Sequence, residues 1–179
     1  TCKNCLSGMT NYCEEGFTGT YNTPERSGEG ITQGGYATGI VVNEDYVVSV
    51  PESLDPAGAA PLLCAGITLY SPLKEFGAGP GVKVGIVGLG GLGHMGVKYA
   101  VAMGAEVTVF SHSESKREDA LAMGAHHFVV TKDETVFKTH AKEFSLVINT
   151  VSAPLDLNPY LELLELDGTL VMVGIAPEP

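Results

Sequence analysis

The chain has 179 residues, with 21 acidic side chains against 10 basic ones and a formal net charge of -11 at pH 7. That balance excludes a protein built to grip a nucleic-acid backbone, which needs a surplus of Lys and Arg, and it disfavours an anionic membrane surface for the same reason. With 44% hydrophobic and 17% charged residues the chain is too apolar for disorder and long enough to bury a core, and it holds no apolar run of the roughly 20 residues that a membrane-spanning helix requires.

Residues 1–35 are rich in Gly, Thr, Asn, Ser and Glu and show neither helical nor strand period. They read as loop, and a loop of that length asks for a functional or metal-based reason. The first thirteen residues are polar and carry no apolar signal core. Residues 36–50 predict two short strands around a turn at Asn43-Glu44-Asp45. Asp55 can cap a helix whose first position is Pro56. From there strands and helices alternate: strands over 82–87, 106–110, 127–130, 146–150 and 169–173, and helices over 92–103, 115–123, 136–142 and 158–166. Short apolar strands alternating with helices predict an α/β fold, a Rossmann-type doubly wound parallel sheet covered on both faces. The expected organisation is one domain over 1–54 and a second over 55–179.

Gly88-Leu89-Gly90-Gly91-Leu92-Gly93 follows the first strand of this series directly and opens the helix after it. In that context G-x-G-x-x-G is a dinucleotide fingerprint. Gly88 permits the tight turn, Gly90 lets a pyrophosphate approach the backbone, and Gly93 lets helix and sheet pack closely. Exposed amides and the helix dipole then hold the phosphates. The plainer alternative is a glycine-rich turn that binds nothing.

The next strand runs out through Ser111-His112-Ser113-Glu114-Ser115-Lys116-Arg117. An NAD site usually has an acid at the strand end to hold the ribose 2′-hydroxyl, and Ser111 stands there instead. Hydroxyls and cations suit a 2′-phosphate, which an acid would repel. The alternative is that Lys116 and Arg117 are solvated helix residues.

The cysteines are Cys2, Cys5, Cys13 and Cys64. Three crowd one end, which suits metal ligation in a reducing, cytoplasmic compartment better than two disulfides. Cys2-x2-Cys5-x7-Cys13 has zinc-ligand spacing, but a closed structural site takes four ligands, and three unrelated surface thiols are the other reading. Cys64 sits in the apolar run Pro61-Leu62-Leu63-Cys64-Ala65-Gly66 and by itself reads as an inert core residue. None of the five histidines pairs with Cys or carboxylates at ligand spacing.

Taken together, Cys2-x2-Cys5-x7-Cys13, Gly34-Gly35-Tyr36, the segment 60–73 around Cys64, the glycine motif continued through His94-Met95-Gly96-Val97-Lys98, and the serines after the second cofactor-sheet strand resemble the zinc-dependent medium-chain alcohol dehydrogenases. More narrowly, the chain resembles their cinnamyl-alcohol-dehydrogenase branch. The resemblance runs along the whole chain and changes the reading of Cys64, whose counterpart ligates the catalytic zinc. Thr68 matches a residue that touches the nicotinamide. Cys2, Cys5 and Cys13 match three of four structural-zinc ligands. Gly88, Leu89, Gly90, Gly91, Leu92 and Gly93 match the pyrophosphate loop; Ser111, Ser113 and Lys116 match the 2′-phosphate pocket, with His112 between them a further candidate contact; Thr150, Val151, Gly174 and Ile175 match contacts beyond the later strands.

The resemblance thus implies Zn2+ and NADP(H) as cofactors and a small alcohol or aldehyde as substrate, with no nucleic acid and no membrane, and a homodimeric full-length parent. It implies that residues 1–54 are the remnant of a β-rich, GroES-like catalytic domain and that residues 55–179 are a cofactor domain without its last strand. The first structural cysteine, the other two catalytic ligands and the sixth sheet strand would lie outside the chain, so the chain reads as truncated at both ends and inactive by itself. Two alternatives stay open: a non-catalytic dinucleotide-binding module, and a zinc-stabilised docking loop over Cys2 to Cys13.

Overall fold

The computed structural model describes residues 2–175 and separates into two units, Thr1–Ser49 and Val50–Pro179. The first unit has little regular structure, as its glycine-rich and short polar composition dictates. It holds a one-turn helix α1 (Lys3–Leu6), a 3-10 turn over Thr10–Tyr12, and an antiparallel pair, β1 (Tyr21–Pro24) and β2 (Ile31–Gln33). That pair lies in the stretch expected to be loop. Conversely, the two strands expected within 36–50 do not form. The expected turn is there, as a 3-10 turn over Glu44–Tyr46 whose Asn43 side chain accepts the Asp45 amide at 3.0 Å. The flanking valines carry strand propensity, but Val41, Val47 and Val48 stand exposed with no neighbouring strand to complete a ladder among the described residues.

In the second unit the Asp55 carboxylate accepts the Gly58 amide at 3.1 Å, and Pro56 opens α2 (Pro56–Ala59). A 3-10 turn over Ala60–Leu63 leads into α3 (Ala65–Glu75). Then follow β3 (Lys83–Val87), α4 (Gly91–Ala102), β4 (Glu106–Ser111), a 3-10 turn over Glu114–Lys116 running into α5 (Arg117–Ala122), and β5 (His127–Val130). The chain continues with α6 (Thr135–Thr139), β6 (Phe144–Asn149), α7 (Asn158–Leu161) and β7 (Leu164–Met172). The five strands β3–β7 are parallel in the order β5-β4-β3-β6-β7, a Rossmann-type α/β sheet whose order reverses at β3.

Strand periodicity sorts the core onto two faces. Val84, Ile86, Val107, Val109, Leu146 and Ile148 pack with Leu69, Leu73, Val97 and Ala100 on one side. Val87, Phe110 and Val147 pack with Phe137, Phe144, Tyr160 and Leu163 on the other. Each Val, Leu, Ile or Phe among them, fully buried, contributes about 1.5–3 kcal/mol. Gly85 leaves room for the Phe110 ring; a Cβ there would lie 3.1 Å from it.

The expected helix over 158–166 is only one turn long. The run Leu161-Glu162-Leu163-Leu164-Glu165-Leu166 fits a strand period as well as a helical one, and pairing with β6 decides between them. The Glu162 carbonyl accepts the Lys142 amide, and the Leu163 carbonyl accepts those of Glu143 and Phe144. Asp167, at φ 63°, and Gly168 bulge from β7, so the pairing steps from Phe144↔Leu164 to Leu146↔Thr169.

Candidate functional site

The glycine loop leaves β3 at Val87. Gly88 takes φ +87°, a left-handed conformation that favours glycine, and its amide donates to the Phe110 carbonyl at 2.8 Å. Gly93 lies in the first turn of α4, where a Cβ would be driven into the Gly88 carbonyl group, 3.0 Å from its carbon. Gly90 caps α4 in an extended conformation, and a Cβ on Gly90 or Gly91 would meet nothing within 4 Å. Two glycines are therefore required by packing, while the two between them leave bare backbone open at a helix N-terminus. Leu89 is buried and Leu92 partly buried against the core.

Thr150 fastens the loop from the neighbouring strand. Its amide and its Oγ1 both donate to the Val87 carbonyl, at 2.9 and 2.8 Å. A Gly88 Cβ would touch Val151 and Thr150, and a Gly174 Cβ would collide with the Val151 backbone. Amides of Val173 and Gly174 both donate to the Asn149 carbonyl, and the Val151 amide to the Asn149 side chain. Gly88, Gly93, Thr150, Val151 and Gly174 thus converge at the C-terminal ends of β3, β6 and β7, beside the point of strand-order reversal. Exposed Ile175 follows them. The fastening role of Thr150 within this cluster was not visible in sequence; it depends on β6 lying beside β3.

At the end of β4, Ser111 is buried and its Oγ accepts the Ser113 amide at 3.3 Å. Ser113 Oγ lies 2.7 Å from Ser115 Oγ, and His112 is exposed. Lys116 Nζ donates to the Leu89 carbonyl at 3.0 Å, which joins this turn to the glycine loop. Arg117 is committed elsewhere. It forks onto the Glu114 carboxylate (Nη2 to Oε2 3.0 Å), donates to the Phe128 carbonyl at 3.0 Å and lies over the Phe128 ring. The Arg117 guanidinium holds the Glu114 carboxyl below the usual range. The one acid of this turn is neutralised in place, and Arg117 is neither free for a ligand nor simply solvated.

Cys64 caps α3 at φ -123° and ψ -79°, and its thiol is exposed, not part of the core as its apolar sequence setting suggested. Thr68 Oγ1 donates back to the Cys64 carbonyl at 2.8 Å. Gly66 faces Tyr99 and Gly96 faces Leu69, so α3 and α4 run antiparallel. The described contacts tie Cys64 and Thr68 to each other and not to the glycine loop. Among the described residues no other His, Cys, Asp or Glu joins Cys64 in a group of three ligand atoms.

In the first unit Cys2, Cys5 and Cys13 do converge. Their Sγ atoms lie within 4.8 Å of one another, and those of Cys2 and Cys5 are 3.7 Å apart. Thiolates tetrahedrally placed about zinc at about 2.3 Å stand about 3.8 Å from each other, so the trio fits that ion. The Glu14 amide donates to Cys2 Sγ at 3.3 Å, and this bond, followed by a backbone contact with Cys5, holds the Cys2 thiol down at about 6. The neighbouring Cys13 and Cys2 thiols push Cys5 up, the mutual opposition that a divalent cation would relieve. A concavity of 480 Å³ opens against Cys5 and Cys13. Another of 710 Å³, lined by Thr18, Arg26, Gln33 and Ile40 among others, holds none of the expected site residues.

Residues 91–179 match the family model of zinc-binding dehydrogenases. An NADP-dependent alcohol dehydrogenase C of Mycolicibacterium smegmatis is 54% identical over 99% of the chain and 51% of its own length. A cinnamyl alcohol dehydrogenase structure from Sorghum bicolor superposes with a TM-score of 0.91 at 45% identity, over 100% of this chain and 51% of that one. The structure of a Helicobacter pylori cinnamyl alcohol dehydrogenase complexed with NADP(H) gives 0.85 at 45% identity, over 99% and 50%. The chain therefore spans about half the length of the proteins it matches.

Proposed function

We propose, from the match of residues 91–179 to the zinc-binding dehydrogenase model, that the chain is the cofactor-holding portion of an NADP(H)-dependent alcohol dehydrogenase or aldehyde reductase of the cinnamyl-alcohol-dehydrogenase kind. The observation that carries this reading is the bare backbone at Gly90 and Gly91, held at the N-terminus of α4 by packing at Gly88 and Gly93. Backbone amides at a helix start are an anion site, and the absence of Cβ atoms lets a pyrophosphate reach them.

In this reading Gly88, Leu89, Gly90, Gly91, Leu92 and Gly93 bind the pyrophosphate. Ser111, His112, Ser113 and Lys116 receive the 2′-phosphate; the hydroxyls donate to its oxygens and the ammonium offsets its charge. Arg117 supports them by keeping the Glu114 charge occupied. Thr150, Val151, Gly174 and Ile175 line the far side of the groove, and Thr68 orients the nicotinamide end. Cys2, Cys5 and Cys13 would hold a structural zinc ion, and Cys64 would give one ligand to a catalytic zinc ion. When bound, the catalytic zinc supplies Lewis acidity toward an alcohol or aldehyde oxygen, and the nicotinamide exchanges hydride.

The division of labour proposed is a catalytic-domain portion over 1–54 and a cofactor domain over 55–179. With one catalytic ligand, the 179-residue chain by itself turns over no alcohol. The whole protein acts on small alcohols or aldehydes as a cytoplasmic homodimer. No helix among the described residues is long and apolar enough to cross a membrane. A non-catalytic nucleotide-binding module is the competing reading; the three converging thiols favour the dehydrogenase.

Calorimetric titration of the chain with NADP+ and NAD+, alongside its zinc content, tests this. Binding that favours NADP+ by about tenfold or more is expected, one charge-assisted contact being enough for that ratio. Equal affinities, or no zinc bound, would sink the assignment.

A further inference from the structure

Lys116 sits at the end of the 3-10 turn beyond β4, yet its ammonium reaches a carbonyl 27 residues earlier in the chain, that of Leu89 inside the glycine loop. Ordering so long and flexible a side chain has an entropic cost, and no ion pair compensates it. Lys116 pairs with no carboxylate among the described residues. Glu114, two residues before it, is taken by Arg117. The receiving residue is firmly placed, because the Leu89 side chain is buried against the same core as Val97 and Val109. An ammonium has three donor positions, so the bond to Leu89 leaves two for a ligand.

We propose that Lys116 is a positioning residue as well as a phosphate contact: it ties the loop that receives the pyrophosphate to the turn that receives the 2′-phosphate, so that each holds the other in place. This rests on the dinucleotide reading above and adds a coupling to it. A lysine that served only as a charge would matter to NADP+ alone. A lysine that also orders the glycine loop matters to both nucleotides, because both place a pyrophosphate there.

The test uses Lys116→Met and Lys116→Arg in the full chain, with titrations of NADP+ and NAD+ and amide hydrogen exchange over residues 88–93. Methionine keeps the apolar stem and removes the donor and the charge. It should lower NADP+ affinity by about tenfold or more and NAD+ affinity by about threefold to fivefold, the latter being the worth of one hydrogen bond. Loop amides should exchange faster in Lys116→Met before any nucleotide is added, and arginine should restore both affinities and the slow exchange. In the unaltered chain, NADP+ should slow loop exchange more than NAD+ at equal saturation, and the difference should vanish in Lys116→Met. If Lys116→Met loses NADP+ affinity while NAD+ affinity and loop exchange stay unchanged, the coupling is wrong and the dinucleotide reading stands. If the unaltered chain binds neither nucleotide, both fall.

Discussion

Two glycines three residues apart should fail in opposite ways when given a methyl group. At Gly93 a Cβ meets the Gly88 carbonyl, and neither partner can retreat cheaply: the Gly88 amide is bonded to Phe110, and a Thr150 hydroxyl packs 3.3 Å from the same Cβ position. Overpacking of this kind costs about 3 kcal/mol at the upper end of its usual range. Alanine recovers about 1 kcal/mol through its better helix propensity. The clash wins, and a net loss of about 2 kcal/mol lowers the melting temperature by about 4–8 °C for a chain of this size. At Gly90 nothing lies within 4 Å of the new carbon, and φ is -98°. Losing glycine as the helix cap costs about 1 kcal/mol, and the stiffer unfolded chain returns about 0.4–1 kcal/mol, so stability should hardly move. The methyl group would instead stand where the pyrophosphate approaches, and NADP+ affinity should fall by about tenfold or more. Thermal melts and calorimetric titrations of Gly93→Ala and Gly90→Ala check both halves. A Gly93→Ala chain that melts with the unaltered one, or a Gly90→Ala chain that binds NADP+ as tightly, would refute the packing and binding roles respectively.

Ser111→Asp should reverse the nucleotide preference, since a carboxylate at the end of β4 repels a 2′-phosphate and accepts from a ribose hydroxyl; fluorescence titration with both cofactors reads the ratio. Arg117→Met should weaken NADP+ and spare NAD+, because Glu114 regains an unpaired charge beside the phosphate pocket, and added salt should shrink the effect. The same variant has a pH signature. Arg117 lowers the folded-state pKa of Glu114, so the pair stabilises above the ordinary carboxylate range and is lost as pH falls through the lowered value. The gap between the acid unfolding curves of the two chains should therefore narrow as pH falls, leaving only the contribution of the Phe128 contacts; a gap that does not narrow would contradict the pairing.

The parts of this protein legible in its sequence are those set by short-range pattern. The β3 strand, the glycine turn and α4 follow from an apolar run, a left-handed glycine and a helix start, all within twenty residues. The missing acid at Ser111 was equally local. What could not be read depends on which segments become neighbours. The run 161–166 satisfies two periods, and only the amides of Lys142, Glu143 and Phe144 select the strand. The valines of 40–48 carry β propensity but find no partner strand among the described residues. The lysine at 116 was visible as a cation and not as a link to Leu89, because that contact exists only once β3 and β4 lie side by side. Cys64 misled for a related reason: apolar neighbours in sequence do not ensure burial at a helix cap.

Among the described residues of the first unit no apolar side chain is buried. Hydrophobic burial therefore cannot be what holds α1, the 3-10 turns and the β1–β2 pair in place within it. What joins them instead is polar: the β1–β2 pairing, the Arg26 bonds to Gly16 and Thr18, the Asn4 bond to the Tyr12 carbonyl, and the meeting of Cys2, Cys5 and Cys13. Zinc held by that trio, as proposed above, would add its binding free energy to the folding of this segment. The two units then answer to different solution variables. The sheet unit responds to heat and denaturant through its apolar core, whereas the thiol unit, on the zinc reading proposed above, would respond also to free zinc and to the redox state of its sulfurs. A chelator would then loosen the cysteine segment while leaving the glycine loop of the sheet unit intact.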